Sequence, residues 1–189
     1  MQLIIVCWIF FLAYWVFSAP YVKPTKEART TMKNTGWNLV SRMFLGVLLV
    51  LSLVGLLPNA PFTFQLFPIT EPTSIVGFIF VVVGLMMAVA ARKILADNWS
   101  ANVEIKNDHE LITTGVYSLA RHPIYTGVIA MTIGTFVATA SIPSLIIMLI
   151  CGWFLSRKLV EEEVLLTNHF PHEYPAYQKR VKSLIPFLY

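Results

Sequence analysis

The chain has 189 residues, 57% of them hydrophobic and 13% charged, with a mean hydropathy of +0.69. Soluble domains carry roughly a quarter charged residues, so composition excludes an ordinary globular protein and predicts an integral membrane protein. The net charge of +4 is accounted for by loop cations at one membrane face and by anionic headgroups, which leaves no argument for nucleic acid binding.

Apolar windows fall near 1–19, 37–57, 74–91, 124–138 and 142–156, and a helical span needs about 20 apolar residues. The pattern predicts one all-α membrane domain over 1–189 with about five transmembrane helices. The first window, Met1 to Ala19, lacks a basic leader and carries Trp8, Tyr14 and Trp15. It reads as a retained span, not a cleaved signal.

Lys23, Lys26, Arg29 and Lys33 follow that window, and Arg42 lies just inside the second. Arg92, Lys93, Lys106 and Arg121 separate the third and fourth, and Arg157, Lys158, Lys179, Arg180 and Lys182 follow the fifth. The connections 58–73 and 139–141 carry no Lys or Arg. The positive-inside bias therefore places the N-terminus outside and the C-terminus in the cytosol.

The fourth and fifth windows hold about 15 residues each, roughly 22 Å of helix against a hydrocarbon core of about 30 Å. They predict a short hairpin turned near Ala140-Ser141-Ile142-Pro143, with its cytosolic ends held close together below the headgroups.

At the hairpin entrance stands Gly115-Val116-Tyr117-Ser118-Leu119-Ala120-Arg121-His122-Pro123-Ile124-Tyr125-Thr126-Gly127. Pro123 suits a first helical turn, which puts His122 or Arg121 at the cap and free N–H groups beside two cations, the composition of an anion site. A snorkelling Arg with a capping His is the structural alternative.

After the fifth window come Glu161, Glu162 and Glu163. Pairs at i,i+4 with Arg157 and Lys158 would make a solvated face, yet consecutive residues point about 100° apart on a helix. At least one glutamate should look inward, where it needs donors such as a ribose diol or an ammonium group. Arg92, at the end of the third window, reads by itself as a helix-end anchor.

Cys7 and Cys151 sit in apolar runs and read as packing thiols. His169 and His172 are interrupted by Phe170-Pro171, so no metal site is expected. Neither GxGxxG nor a Walker A loop occurs. The tail aromatics Phe170, Tyr174, Tyr177, Phe187 and Tyr189, with Lys179, Arg180 and Lys182, read as an interfacial belt.

Two motifs together carry a resemblance. The entrance segment is joined to Glu162-Glu163-Val164-Leu165-Leu166-Thr167-Asn168-His169-Phe170-Pro171-His172-Glu173-Tyr174-Pro175-Ala176-Tyr177, followed by Arg180-Val181 and Pro186. Over roughly residues 75 to 188 the chain resembles the isoprenylcysteine carboxyl methyltransferase and phospholipid methyltransferase family of membrane enzymes. The first two spans, within 1–57, match only in being spans.

The resemblance implies a catalytic core over 74–189 that binds S-adenosylmethionine in a cytosolic pocket formed by the loop before the hairpin and the C-terminal segment. It implies cofactor contacts from His109, Glu110, Leu111, Ile112, Tyr117, Arg121, His122, Pro123, Ile124 and Tyr125, with Glu162 opposite. Arg92 and Lys158 match basic positions near the substrate carboxylate and reaction centre, although Lys158 stands where Arg is usual, and the two are not equivalent. A lipophilic or prenylated acceptor would enter from the bilayer, in the cell membrane of a prokaryote or the endoplasmic reticulum of a eukaryote. An amine acceptor would require a base, for which Glu163 is the nearest candidate.

Two other readings remain at this level. Membrane sterol and steroid reductases share an Arg-His-Pro-x-Tyr segment and bind NADPH, but the Glu162-Glu163 pair favours the methyltransferase. A non-catalytic scaffold would use the same polar residues to join short helices.

Overall fold

The computed structural model describes residues 1–18, 65–99 and 110–185, so the window at 37–57 and His109 lie outside the described residues. Regular structure among the described residues is helical: α1 (Gln2–Ser18), α2 (Glu71–Leu95), α3 (Pro123–Thr139), α4 (Ile142–His169) and α5 (Glu173–Arg180), with 3-10 turns at 96–98 and 115–118. Of these, the helix continuing from Glu71 to Asn98 and α4 are long and apolar enough to cross a membrane, whereas α1 and α3 are apolar but shorter.

Local chemistry sets the helix ends. Thr70 caps α2 by accepting from the Thr73 N–H while the Thr73 hydroxyl accepts from the Thr70 N–H. Glu71 in the first turn and Arg92 and Lys93 in the last complement the helix dipole. Pro123 opens α3, and of the two caps that the sequence allows, His122 or Arg121, His122 is the N-cap. α3 stops at Ala140, which adopts the left-handed conformation at φ 49°, and Ser141 caps α4. The hairpin turn thus falls where Ala140-Ser141-Ile142-Pro143 places it.

The second arm of that hairpin is longer than its apolar window. α4 runs for 28 residues, roughly 42 Å, because the charged stretch from Arg157 to Glu163 has high helix propensity and nothing breaks the helix before Pro171. Hydropathy marks where lipid contact should end; helicity continues beyond it. The glutamates therefore lie within the helix, on a rigid rod.

α2 and α3 pack antiparallel through paired glycines. A Cβ added at Gly77 would stand 2.5 Å from the Gly134 carbonyl oxygen, and one at Gly84 2.5 Å from that of Gly127. Backbones that approach this closely replace side-chain packing, an efficient contact where surrounding lipid is as apolar as the helix surface. α1 lies across this pair, burying Ile4 and Phe11 with Val81, Ala88, Met131 and Ala138. Its Trp8 indole donates to the Thr135 hydroxyl at 3.0 Å. Outward positions stay apolar and exposed, including Phe10, Val83, Met86 and Trp153, as expected of surfaces that meet lipid.

Because α2 and α3 are antiparallel, the end of α2 and the start of α3 lie at one end of the pair. That end carries Arg92, Arg121 and His122.

Candidate functional site

A polar cluster forms where α3 begins and the middle of α4 passes. α4 turns Glu162 and Glu163 inward and leaves Glu161 exposed, the outcome that their 100° separation requires. Glu163 Oε1 accepts from Arg121 Nε at 2.9 Å and from Arg121 Nη2 at 2.5 Å, and lies 3.2 Å from His122 Nε2. Its Oε2 accepts from Gln178 Nε2 at 3.2 Å.

Glu162 is held from another side. Its Oε1 accepts from the Tyr125 hydroxyl and lies 4.0 Å from Lys158 Nζ, while its Oε2 is 3.5 Å from His122 Nδ1. The His122 and Tyr125 rings stack at 5.5 Å and 6°, and Lys158 Nζ sits 5.8 Å from the Tyr125 ring centroid. The Glu162 side chain retains 23% exposure, so part of its acceptor capacity faces out of the cluster.

Burial alone would lower the His122 pKa, but hydrogen bonds and the charges of both glutamates outweigh it and hold the ring above the usual histidine range. His122 thus bridges the two carboxylates.

The C-terminal segment locks this entrance by backbone bonds. The Arg121 and His122 N–H groups donate to the carbonyls of Lys182 and Ser183 at 2.9 and 3.0 Å, and the Thr126 hydroxyl donates to that of Leu184 at 2.7 Å. Arg121 Nη1 donates to the carbonyls of Gln178 and Val181 at 3.3 and 2.5 Å. The anion site expected beside Arg121 and His122 is therefore filled from within: Glu163 meets the guanidinium and Ser183 takes the cap N–H.

Tyr174 and Tyr177 are also drawn inward, at 1% and 2% exposure. The interfacial belt expected of the tail does not include them, because α5 turns both tyrosines, three residues apart, onto one buried face. Tyr177 donates to the Tyr117 carbonyl at 2.5 Å, and burial pushes its phenol up to about 12, so it remains a donor. The Tyr117 hydroxyl in turn donates to the Ala91 carbonyl at 3.5 Å, which carries the chain of contacts to Arg92.

Arg92 is not the headgroup anchor that its position alone suggests. It is 3% exposed and turned inward, donating to the Ala96 and Ser18 carbonyls at 2.5 and 2.6 Å. The structure thus brings Arg121, His122, Tyr125, Lys158, Glu162 and Glu163 into one cluster and links Tyr117 to both the tail and α2. Pro123 is buried and Ile124 half-buried at the start of α3. Glu110 is exposed and Leu111 and Ile112 half-buried, and no side-chain hydrogen bond joins these three to the cluster among the described residues.

Sequence reasoning missed Gln178, Thr126 and Trp99. The only signal for Gln178 was its place one residue after Tyr177 on an amphipathic turn. Thr126 was legible only as a member of the entrance segment, and nothing in the sequence singled out Trp99.

Residues 75–168 match the sequence model of the isoprenylcysteine carboxyl methyltransferase (ICMT) family. Protein-S-isoprenylcysteine O-methyltransferase of Saccharomyces cerevisiae is 30% identical over 182 residues, covering 94% of this chain and 75% of the yeast protein. The chain belongs to the isoprenylcysteine carboxyl methyltransferase family. The Xenopus laevis protein of that name is 34% identical over 118 residues, covering 61% of this chain and 41% of its own length. A protein of Oryza sativa subsp. indica named probable protein-S-isoprenylcysteine O-methyltransferase is 32% identical over 118 residues, covering 61% of this chain and 62% of its own length. The chain therefore spans less than two thirds of the frog and rice proteins' length. A solved eukaryotic intramembrane Ras methyltransferase of the ICMT type superposes with a TM-score of 0.57 at 29% identity, covering 62% of this chain and 43% of that one.

Proposed function

We propose that this ICMT-family chain is an integral membrane methyltransferase that uses S-adenosylmethionine to methylate the carboxylate of a prenylated cysteine at the cytosolic face. The observation that carries this reading is the Glu162 carboxylate, fixed at one edge by Tyr125 and His122 and still partly exposed. A carboxylate with that much acceptor capacity left suits the ribose diol or ammonium group of the cofactor. The donor set fits, and Glu162, Tyr125 and His122 would hold the cofactor, with Tyr117 and the segment from Glu110 to Ile112 beside them.

When bound, S-adenosylmethionine supplies a methyl group on a positively charged sulfur. The chain's own task is then alignment and exclusion of water. Arg92 orients the acceptor carboxylate by its charge, and the apolar faces of α3 and α4 admit the lipid tail. A carboxylate arrives already deprotonated, so methylation of its oxygen requires no base.

That point separates the acceptors. Glu163, the base that an amine acceptor would use, is engaged by Arg121, His122 and Gln178. It acts instead as a positioning residue for His122, and the carboxylate acceptor is favoured. His122 and, at longer range, Lys158 favour the ionised form of Glu162 against its burial.

Purified protein should gain thermal stability from S-adenosylhomocysteine and none from NADPH, since a ligand that binds only the folded state raises the melting temperature. Stabilisation by NADPH alone would indicate a reductase, and no shift with either a scaffold. Labelled methyl from S-adenosylmethionine should pass to a farnesylcysteine analogue in preference to a total lipid extract. Transfer into the lipid extract alone would replace the prenylcysteine acceptor.

A further inference from the structure

Arg92 presents an electrostatic problem. Its guanidinium is removed from solvent, yet the partners around it among the described residues are neutral. Two are backbone carbonyls, those of Ala96 and Ser18. The third is the face of Trp99, whose ring centroid lies 4.6 Å from the guanidinium carbon. Trp99 is braced in turn by the edge of Trp15, at 6.4 Å and 87°.

Ser18 and Trp15 belong to the last turn of α1, and Ala96 follows the last turn of α2. Helix C-terminal carbonyls carry partial negative charge, and an indole face is the best aromatic partner for a cation. These groups stabilise the guanidinium without cancelling its unit charge. Its Nε is buried and has no hydrogen-bond partner. A buried donor on a charged group is costly when unmet, so an anionic acceptor bound there recovers that cost.

We infer that Trp99, braced by Trp15, is a positioning residue for the acceptor carboxylate: its ring holds the Arg92 guanidinium in place without neutralising it, which leaves the Nε–H unmet within the fold until an anionic acceptor displaces its surroundings. The inference rests on the carboxylate methyltransfer proposed above and assigns the geometry of its acceptor end. It also gives α1 a part in the site, through Ser18 and Trp15.

The test compares Trp99→Phe with Trp99→Leu in the full-length protein in detergent, reading kcat and KM for the farnesylcysteine analogue and the melting shift with S-adenosylhomocysteine. Phe keeps a π face and Leu keeps only apolar volume. W99F should retain kcat/KM within about threefold of the parent and W99L should lose about tenfold, with the melting shift unchanged in both. Trp15→Leu, which removes the brace and leaves the ring, should lose about threefold. The inference is overturned if W99F and W99L are equally active, if both lose the melting shift, or if W15L matches the parent. A parent protein that binds S-adenosylhomocysteine but never methylates the analogue would instead overturn the acceptor assignment.

Discussion

Arg92 and Arg121 lie at the same end of the α2–α3 pair, yet their surroundings differ in kind. Arg121 forks onto Glu163 and fills its remaining valence with carbonyls of the tail. Arg92 is clamped by two carbonyls and an indole, with no carboxylate partner among the described residues. A guanidinium paired with a carboxylate is a structural fastening whose charge is spent. One held by neutral groups keeps its charge for a ligand.

The largest expected effect comes from removing the unspent charge. Arg92→Met should lower kcat/KM for a carboxylate acceptor by about 10²–10³-fold, the usual range for deleting one preorganised donor. Its melting temperature should change little, because shedding a buried charge offsets the two lost hydrogen bonds. A variant with a clearly lowered melting temperature and an unchanged kcat/KM would reverse the comparison.

Arg121→Met should do the opposite to stability. It leaves Glu163, only 20% exposed, without its main counter-charge, at a cost of about 2–4 kcal/mol in denaturation experiments. An unchanged midpoint would show that the Arg121–Glu163 pair is not the fastening.

The distance between the two arginines is set by the helix pair that carries them, and the Gly84–Gly127 contact lies nearer to them than Gly77–Gly134. Gly84→Val and Gly77→Val should each cost about 1–3 kcal/mol, since a side chain meets backbone at both positions. Only G84V should also raise KM for the acceptor. Equal effects on KM would mean that the crossing does not set the site.

His122 offers a gentler probe of the spent-charge side. Its folded pKa is raised, so the stability it adds is fully present below the ordinary value of 6.5 and is lost as the pH climbs through the higher folded value. Melting temperature should therefore fall as the pH rises above the ordinary histidine value in the parent and fall less in His122→Gln. A decline of the same size in both would remove His122 from the network.

Much of the division between fastening and site was legible in the residues. Pro123 placed the start of α3, and the 100° rule turned at least one of three glutamates inward before any partner was known. The end of α4 was less legible, because the hydropathy window stops at Arg157 while helix propensity does not. The partners of Arg121 in the tail were illegible for a different reason: the carbonyls of Gln178, Val181 and Lys182 belong to a segment returning from about 60 residues away, and backbone acceptors leave no mark on side-chain pattern. Arg92 resembled every basic residue at a helix end until α1 was seen to lie against it.

The smallest expected effect tests whether Glu162 belongs to the fastening or to the ligand. Lys158 lies one helical turn before it at 4.0 Å, a long contact for an ion pair, and such i,i+4 pairs contribute about 0.2–0.5 kcal/mol. Lys158→Ala should therefore leave the melting temperature of the free protein nearly unchanged. It should still weaken S-adenosylhomocysteine binding about threefold, because Tyr125 and His122 would then hold the ligand's carboxylate partner without help from the third side. Glu162→Ala should abolish that binding while the protein stays folded, since Glu163 keeps Arg121 and His122 in place. If K158A and E162A lowered stability alike and left ligand affinity intact, both glutamates would be fastenings, and only the Arg92 end would remain open to a ligand.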